Sequence, residues 1–147
     1  MIAIGADHGG YLLKEEIKKY LDGRGVAYKD FGTFSEESVD YPAVAATVAR
    51  AVASGEYERG LLFCGTGVGI SIAANKVMGI RAAVCSDAFS AEYCRRHNDA
   101  NIFCLGGRVV SPEKGKELVG IYLDTPFEGG RHSRRVGMID DIEEGRL

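Results

Sequence analysis

The sequence predicts an α/β fold: one domain on a doubly wound, five-stranded parallel sheet, with helices on both faces and a C-terminal helix. Short apolar runs bounded by turn residues alternate with amphipathic stretches of helical period along all 147 residues. Strict alternation of strand and helix signals points to βαβ units and hence to parallel pairing. No repeat, low-complexity tract or linker breaks the pattern, so residues 1–147 are expected to form a single domain.

The strand-like runs are Ile2–Ala6, Ala27–Phe31, Gly60–Cys64, Arg81–Cys85 and Ile102–Leu105. Between the first two, Leu13, Ile17, Tyr20 and Leu21 share one helical face, and Gly23 and Gly25 stop the helix. Val44, Val48 and Val52 repeat every fourth residue after Pro42, a suitable helix start, and Gly55 ends that segment. A third helix is expected to begin within Gly67–Ser71 and run to about Met78. Asp87 is a candidate N-cap for a fourth, reaching Arg96, and Ser111-Pro112-Glu113 opens a fifth that stops before Pro126. The last helix is expected over Ser133–Glu143. The whole is Rossmann-like.

Bulk properties narrow the function. With 46% hydrophobic and 27% charged residues, the composition is that of a folded globular chain. A net charge of −3 supplies no global basic field for nucleic acid, and no stretch approaches a membrane span. The chain opens directly on strand-like Ile2-Ala3-Ile4 rather than a secretory leader, which favours the cytoplasm. Cys64, Cys85, Cys94 and Cys104 contain no C-x-x-C pair, so reduced thiols are expected. Cys94-x-x-His97 could be half of a zinc site, but no second pair completes it, and no metal or other cofactor is expected.

Chemistry gathers where strands end. Gly5-Ala6-Asp7-His8-Gly9-Gly10 follows the first strand, and Cys64-Gly65-Thr66-Gly67-Val68-Gly69 follows the third. Carboxyl ends of neighbouring parallel strands share one edge, so these segments are expected to converge. Taken singly, Asp7 suits a helix cap, Cys64 a core thiol, and the glycines a tight turn. Together they place a carboxylate, an imidazole, a thiol and backbone amides at one edge, a set that structural economy does not require. The loop lacks the arginine at position 70 of a Cys-x5-Arg phosphatase and the Gly-Lys-Ser/Thr of a P-loop. Its glycine spacing and its place after the third strand also fit a dinucleotide fingerprint poorly. Backbone donors at a helix start favour negative charge, whether on a thiolate base or on a developing oxyanion. Proton abstraction beside a carbonyl needs both.

A second cluster lies near the C-terminus. Arg131 and Arg135 are four residues apart after Gly129-Gly130, one cationic face if helical. Guanidinium groups bind phosphate or carboxylate bidentately, so an anion site is expected there.

At these residues the chain resembles the type B ribose-5-phosphate isomerases, the family that also includes the galactose-6-phosphate isomerase subunits. The likeness runs through Ala6–Gly10 with Leu13-Lys14, Ser38-Val39-Asp40-Tyr41-Pro42, Cys64–Gly69 and Ser71–Lys76. It continues through Gly79–Ala83, His97–Asn101 and Gly130-Arg131-His132 with Arg135. This resemblance implies interconversion of ribose 5-phosphate and ribulose 5-phosphate without a metal. Cys64 would move the proton between C2 and C1, and Gly65, Thr66, Gly67, Val68 and Gly69 would hold the enediolate. His97 would open the furanose ring, Asp7 would orient sugar hydroxyls, and Asn98 would contact the sugar. His8, Arg108, Arg131 and Arg135 would hold the phosphate, with Tyr41 walling the site. The resemblance also implies a homodimer, with a tetramer the alternative, in which His97, Asn98 and Arg108 face the partner's Cys64 loop. Two other readings stay open: an isomerase of allose 6-phosphate or galactose 6-phosphate, and a non-catalytic phosphate-binding module.

Overall fold

The structure, a computed structural model describing residues 1–147, contains one sheet of five parallel strands in the order β2-β1-β3-β5-β4. The strands are β1 (Ile2–Ala6), β2 (Tyr28–Asp30), β3 (Arg59–Cys64), β4 (Ala82–Val84) and β5 (Ile102–Gly106). The helices are α1 (Tyr11–Gly23), α2 (Tyr41–Ala53), α3 (Val68–Ala74), α4 (Ala88–Arg96), α5 (Pro112–Asp124) and α6 (Arg131–Glu143).

Side-chain alternation along the strands builds two cores. Ile2, Ile4 and Ala6 of β1 join Leu61, Phe63, Phe103 and Leu105 beneath α1, α4 and α5. On the other face, Ala3, Leu62, Ile102 and Cys104 meet α2 and α3 through Val48, Val52, Ile70 and Ala74. Gly5 belongs to this second face, where a Cβ would come within 2.9 Å of both Val44 and Val48. The Phe103 and Tyr122 rings stack at 4.8 Å, and the fully buried Tyr122 hydroxyl donates to the Ala100 carbonyl at 2.9 Å.

The helix starts follow local chemistry. Asp87 accepts the Ser90 N–H at 2.8 Å and Ser111 accepts the Lys114 N–H at 3.1 Å, each capping its helix as expected. Helix α3 ends at Ala74, short of the expected Met78. There Asn75 turns its amide onto Ala82, accepting its N–H at 2.7 Å and donating to its carbonyl at 3.0 Å. The chain then continues in i→i+3 turns through Lys76 and Val77. Helix α6 starts two residues earlier than expected, directly after Gly130 at φ 59°.

The connection from β1 leads outward to β2, and α2 carries the chain back across to β3. The strand order therefore reverses between β1 and β3, which opens a crevice at their carboxyl ends. One buried lysine braces its rim. Lys14, fully buried on α1, donates to both Asp30 carboxylate oxygens at 2.8 and 2.7 Å and also to the Thr33 carbonyl. That fastens the segment after β2, which leads to Val39 and Tyr41.

Candidate active site

Three carboxyl-end loops meet at the crevice. Gly9 lies so close to the β3 loop that a Cβ there would stand 2.9 Å from the Gly65 nitrogen. A Cβ on Gly106 would stand 2.6 Å from the Thr66 carbonyl carbon, and one on Gly107 would stand 2.5 Å from the Gly9 carbonyl oxygen. Backbone bonds lock the contact: the Gly107 N–H donates to the Cys64 carbonyl at 2.8 Å and Arg108 N–H to that of Gly65 at 3.0 Å.

Cys64 ends β3 with 5% exposure, and its Sγ accepts the Gly67 N–H at 3.1 Å. Gly67 takes φ 80°, and a Cβ there would meet Val84 Cγ2 at 2.8 Å and the Leu105 carbonyl carbon at 2.9 Å. Only glycine satisfies both demands. The exposed Thr66 accepts the Val68 N–H at 3.2 Å.

Asp7 combines the structural and the chemical reading. Its Oδ1 accepts the Gly9 and Gly10 N–H groups at 2.8 and 3.1 Å, shaping the turn into α1. Its Oδ2 makes no hydrogen bond and is not among the fully buried polar atoms, so it is available to a ligand. His8 accepts the Val39 N–H through Nδ1 at 3.2 Å, which orients the imidazole and leaves Nε2 free for a further partner. The Tyr41 ring lies over Gly69, where a Cβ would fall 2.9 Å from Cζ.

Arg108 belongs to this same cluster. Its guanidinium lies 3.1 Å from where a Cβ on Gly65 of its own chain would stand. Strand register explains this contact: Cys64 pairs with Gly106, so the residues just after β5 flank the Cys64 loop of their own chain.

The remaining candidates lie elsewhere. His97 follows α4 as its C-cap and Asn98 comes next, before β5, which puts both at the amino edge of the sheet. Cys64 lies at the carboxyl edge, on the order of 15 Å away along strands of this length. The His132 ring stacks on that of His97 at 4.0 Å with planes 10° apart, so the first turn of α6 stays at the amino edge. Arg131 and Arg135 flank His132 there, helical and four apart as expected. The side chains of Arg108, Arg131 and Arg135 form no ion pair. Unpaired guanidinium groups suit an incoming anion.

The sequence reading gave no role to Glu128 or His132. Together with His97 they form a group of potential metal ligands, all within 4.8 Å of one another. The spacing Glu128-x3-His132 across Gly129-Gly130 was the available signal. Burial first, and then the neighbouring His97, hold the His132 imidazole below the ordinary histidine range, against the pull of Glu128.

The ribose/galactose isomerase family matches residues 2–139. The chain belongs to this family. It is 54% identical to ribose-5-phosphate isomerase B of Escherichia coli over 145 residues, covering 99% of this chain and 97% of that one. A D-erythrulose-4-phosphate isomerase of Pectobacterium atrosepticum is 46% identical, with 97% and 94% covered. Among solved structures, ribose-5-phosphate isomerase B of Clostridium thermocellum superposes with a TM-score of 0.97 at 55% identity, with 99% of each chain covered. The chain is thus a sugar-phosphate isomerase with the α/β architecture of this family.

Proposed function

We propose that the chain interconverts ribose 5-phosphate and ribulose 5-phosphate by cysteine-mediated proton transfer through an enediolate, drawing on no metal or other cofactor. One observation carries the reading. Cys64 Sγ stands at the crevice with the Gly67 N–H 3.1 Å away, inside a loop of backbone donors, and Asp7 follows the neighbouring strand, its N–H donating to the Phe63 carbonyl at 3.0 Å.

In this mechanism His97 transfers a proton to the ring oxygen as the C1 hydroxyl loses its own, opening the furanose. The Cys64 thiolate then removes the C2 proton, and the bonding electrons move onto O1 to form the enediolate. Amides of Gly65, Gly67, Val68 and Gly69, with the Thr66 hydroxyl, carry that charge. The thiol returns its proton to C1 while the hydroxyl proton passes from O2 to O1. Asp7 and Asn98 orient the sugar against Tyr41, and His8, Arg108, Arg131 and Arg135 hold the phosphate.

Such a site requires two copies of the chain, since His97 and Cys64 occupy opposite sheet edges in each. A homodimer with two shared sites meets the requirement, and dimers are free to pair further into tetramers. Exposed Val68, Ile72, Val84 and Phe89, on α3, the edge strand β4 and the first turn of α4, support this assembly. Mixing Cys64→Ala with His97→Asn subunits tests it. Random pairing gives each mixed dimer one intact site, so about a quarter of the native rate should return. Persistent inactivity of a confirmed mixed dimer overturns the shared site.

The sugar is a separate matter. The D-erythrulose-4-phosphate isomerase relative favours a second reading, in which a phosphorylated aldose of another length is preferred. Rates on four-, five- and six-carbon aldose phosphates, with chelator present, decide between them. The reaction is placed in the cytoplasm, where phosphorylated sugars are retained.

A further inference from the structure

Glu128 lies between two imidazoles at the amino edge. Its carboxylate oxygens stand 3.9 Å from His97 Nε2 and 3.7 Å from His132 Nε2. The two rings are stacked nearly parallel, so both present a nitrogen to the same carboxylate. A second observation points to a ligand. His132 is 5% exposed, and its Nε2 is the one fully buried side-chain nitrogen or oxygen without a hydrogen-bond partner. Buried polar atoms are almost always satisfied, so an open imidazole nitrogen calls for a ligand, and a metal ion is one that would bind it together with the neighbouring carboxylate. The other two side chains remain accessible, with 37% of His97 and 49% of Glu128 open to solvent.

We propose that His97, Glu128 and His132 form a reversible site for a divalent transition metal, with zinc the best match, and that its occupation silences His97. Two imidazoles and a carboxylate make up one of the protein donor sets that hold zinc with a fourth position open. Imidazole donors favour zinc, cobalt or nickel over magnesium and calcium. The three donors lie within 4.8 Å of one another, and tetrahedral zinc places donor atoms roughly 3.4 Å apart, so closure requires shifts of up to about 1.4 Å. The accessible His97 ring swings out of its parallel stack so that the two imidazole lone pairs converge, and rotation of Glu128 closes the remaining gap while buried His132 stays fixed. The guanidinium groups of Arg131 and Arg135 oppose a cation here, which keeps the affinity moderate and the site reversible. Metal coordination would occupy the imidazole lone pair, which proton transfer by His97 requires. Binding stands on geometry alone, whereas the inhibitory effect rests on the role proposed above for His97.

Titration of the intact protein with cobalt(II), followed by zinc displacement, tests both parts. The expected result is one cobalt per chain with visible bands of tetrahedral type and no thiolate-to-metal charge-transfer band. Glu128→Gln, at an exposed position outside the isomerase machinery, should weaken binding at least tenfold and leave metal-free turnover unchanged. Zinc should inhibit the native enzyme, and the concentration required should rise at least tenfold in Glu128→Gln. A thiolate charge-transfer band, or unchanged affinity in Glu128→Gln, overturns the site. Binding that depends on Glu128 but leaves turnover untouched upholds the site and overturns the role of His97.

Discussion

The Arg108 guanidinium lies against the bare backbone of Gly65, 3.1 Å from where a Cβ would be. A methyl group at position 65 would displace a flexible side chain rather than backbone. Gly65→Ala should therefore raise KM for the phosphorylated sugar several-fold, with a smaller effect on kcat and little change in thermal midpoint. Steady-state kinetics with a melting curve check this, and an unchanged KM would detach Arg108 from the phosphate.

Cys64 ends its strand with a single amide on the sulfur. Replacing it by Ala removes the proposed base without disturbing the strand register. Turnover should fall by about a thousandfold, while phosphate analogues still bind. Substantial residual activity would remove the thiol from the mechanism. Solvent deuterium incorporation at C1 of ribulose 5-phosphate in the native enzyme gives an independent check on proton transfer.

Arg131→Ala and Arg135→Ala should each raise KM by about tenfold or more, because each removes a charged hydrogen bond to phosphate. Mixed dimers carrying both replacements on the subunit that supplies His97 should show the effect at one site only.

The Lys14–Asp30 pair predicts a stability effect. Burial alone would raise the Asp30 carboxyl, but hydrogen bonds from Lys14, the Gly32 N–H and Lys18 outweigh it and hold it below its ordinary value. A carboxylate with a depressed folded pKa stabilises the fold above its unfolded value, and that contribution fades as pH falls through the folded one. The loss should thus appear only below about pH 4. At neutral pH Asp30→Ala strands a buried ammonium and should cost about 3 kcal/mol, read from urea midpoints.

His132 has the opposite charge sense. Its folded form holds the proton less tightly than the unfolded chain does, so the unfolded chain protonates first as pH falls. Stability should decline from about pH 6.5 downward, and His132→Gln should flatten that slope. The His132 imidazole proton resonance should titrate below that of free histidine.

All five strands and six helices were legible from apolar runs, caps and glycines, because those signals are local. Boundaries failed where a side chain intervened. Asn75 ends α3 by pairing with Ala82, a contact between residues seven apart that helical periodicity cannot register. The carboxyl-edge group of Asp7, His8 and Cys64 was also legible, since strand direction alone brings it together. The contact of Arg108 with Gly65 was not, because it depends on β5 lying next to β3, and sequence alternation does not specify neighbours. The His97–Glu128–His132 group was hidden for a similar reason: β5 and α5 separate α4 from the start of α6 along the chain, so no local pattern brings them together.

The separation of Cys64 from His97 has a consequence for the rate law. Two side chains fixed at opposite edges of one rigid sheet never meet by folding alone. Below the dissociation constant of the assembled enzyme, velocity should follow the square of protein concentration, and specific activity should fall on dilution.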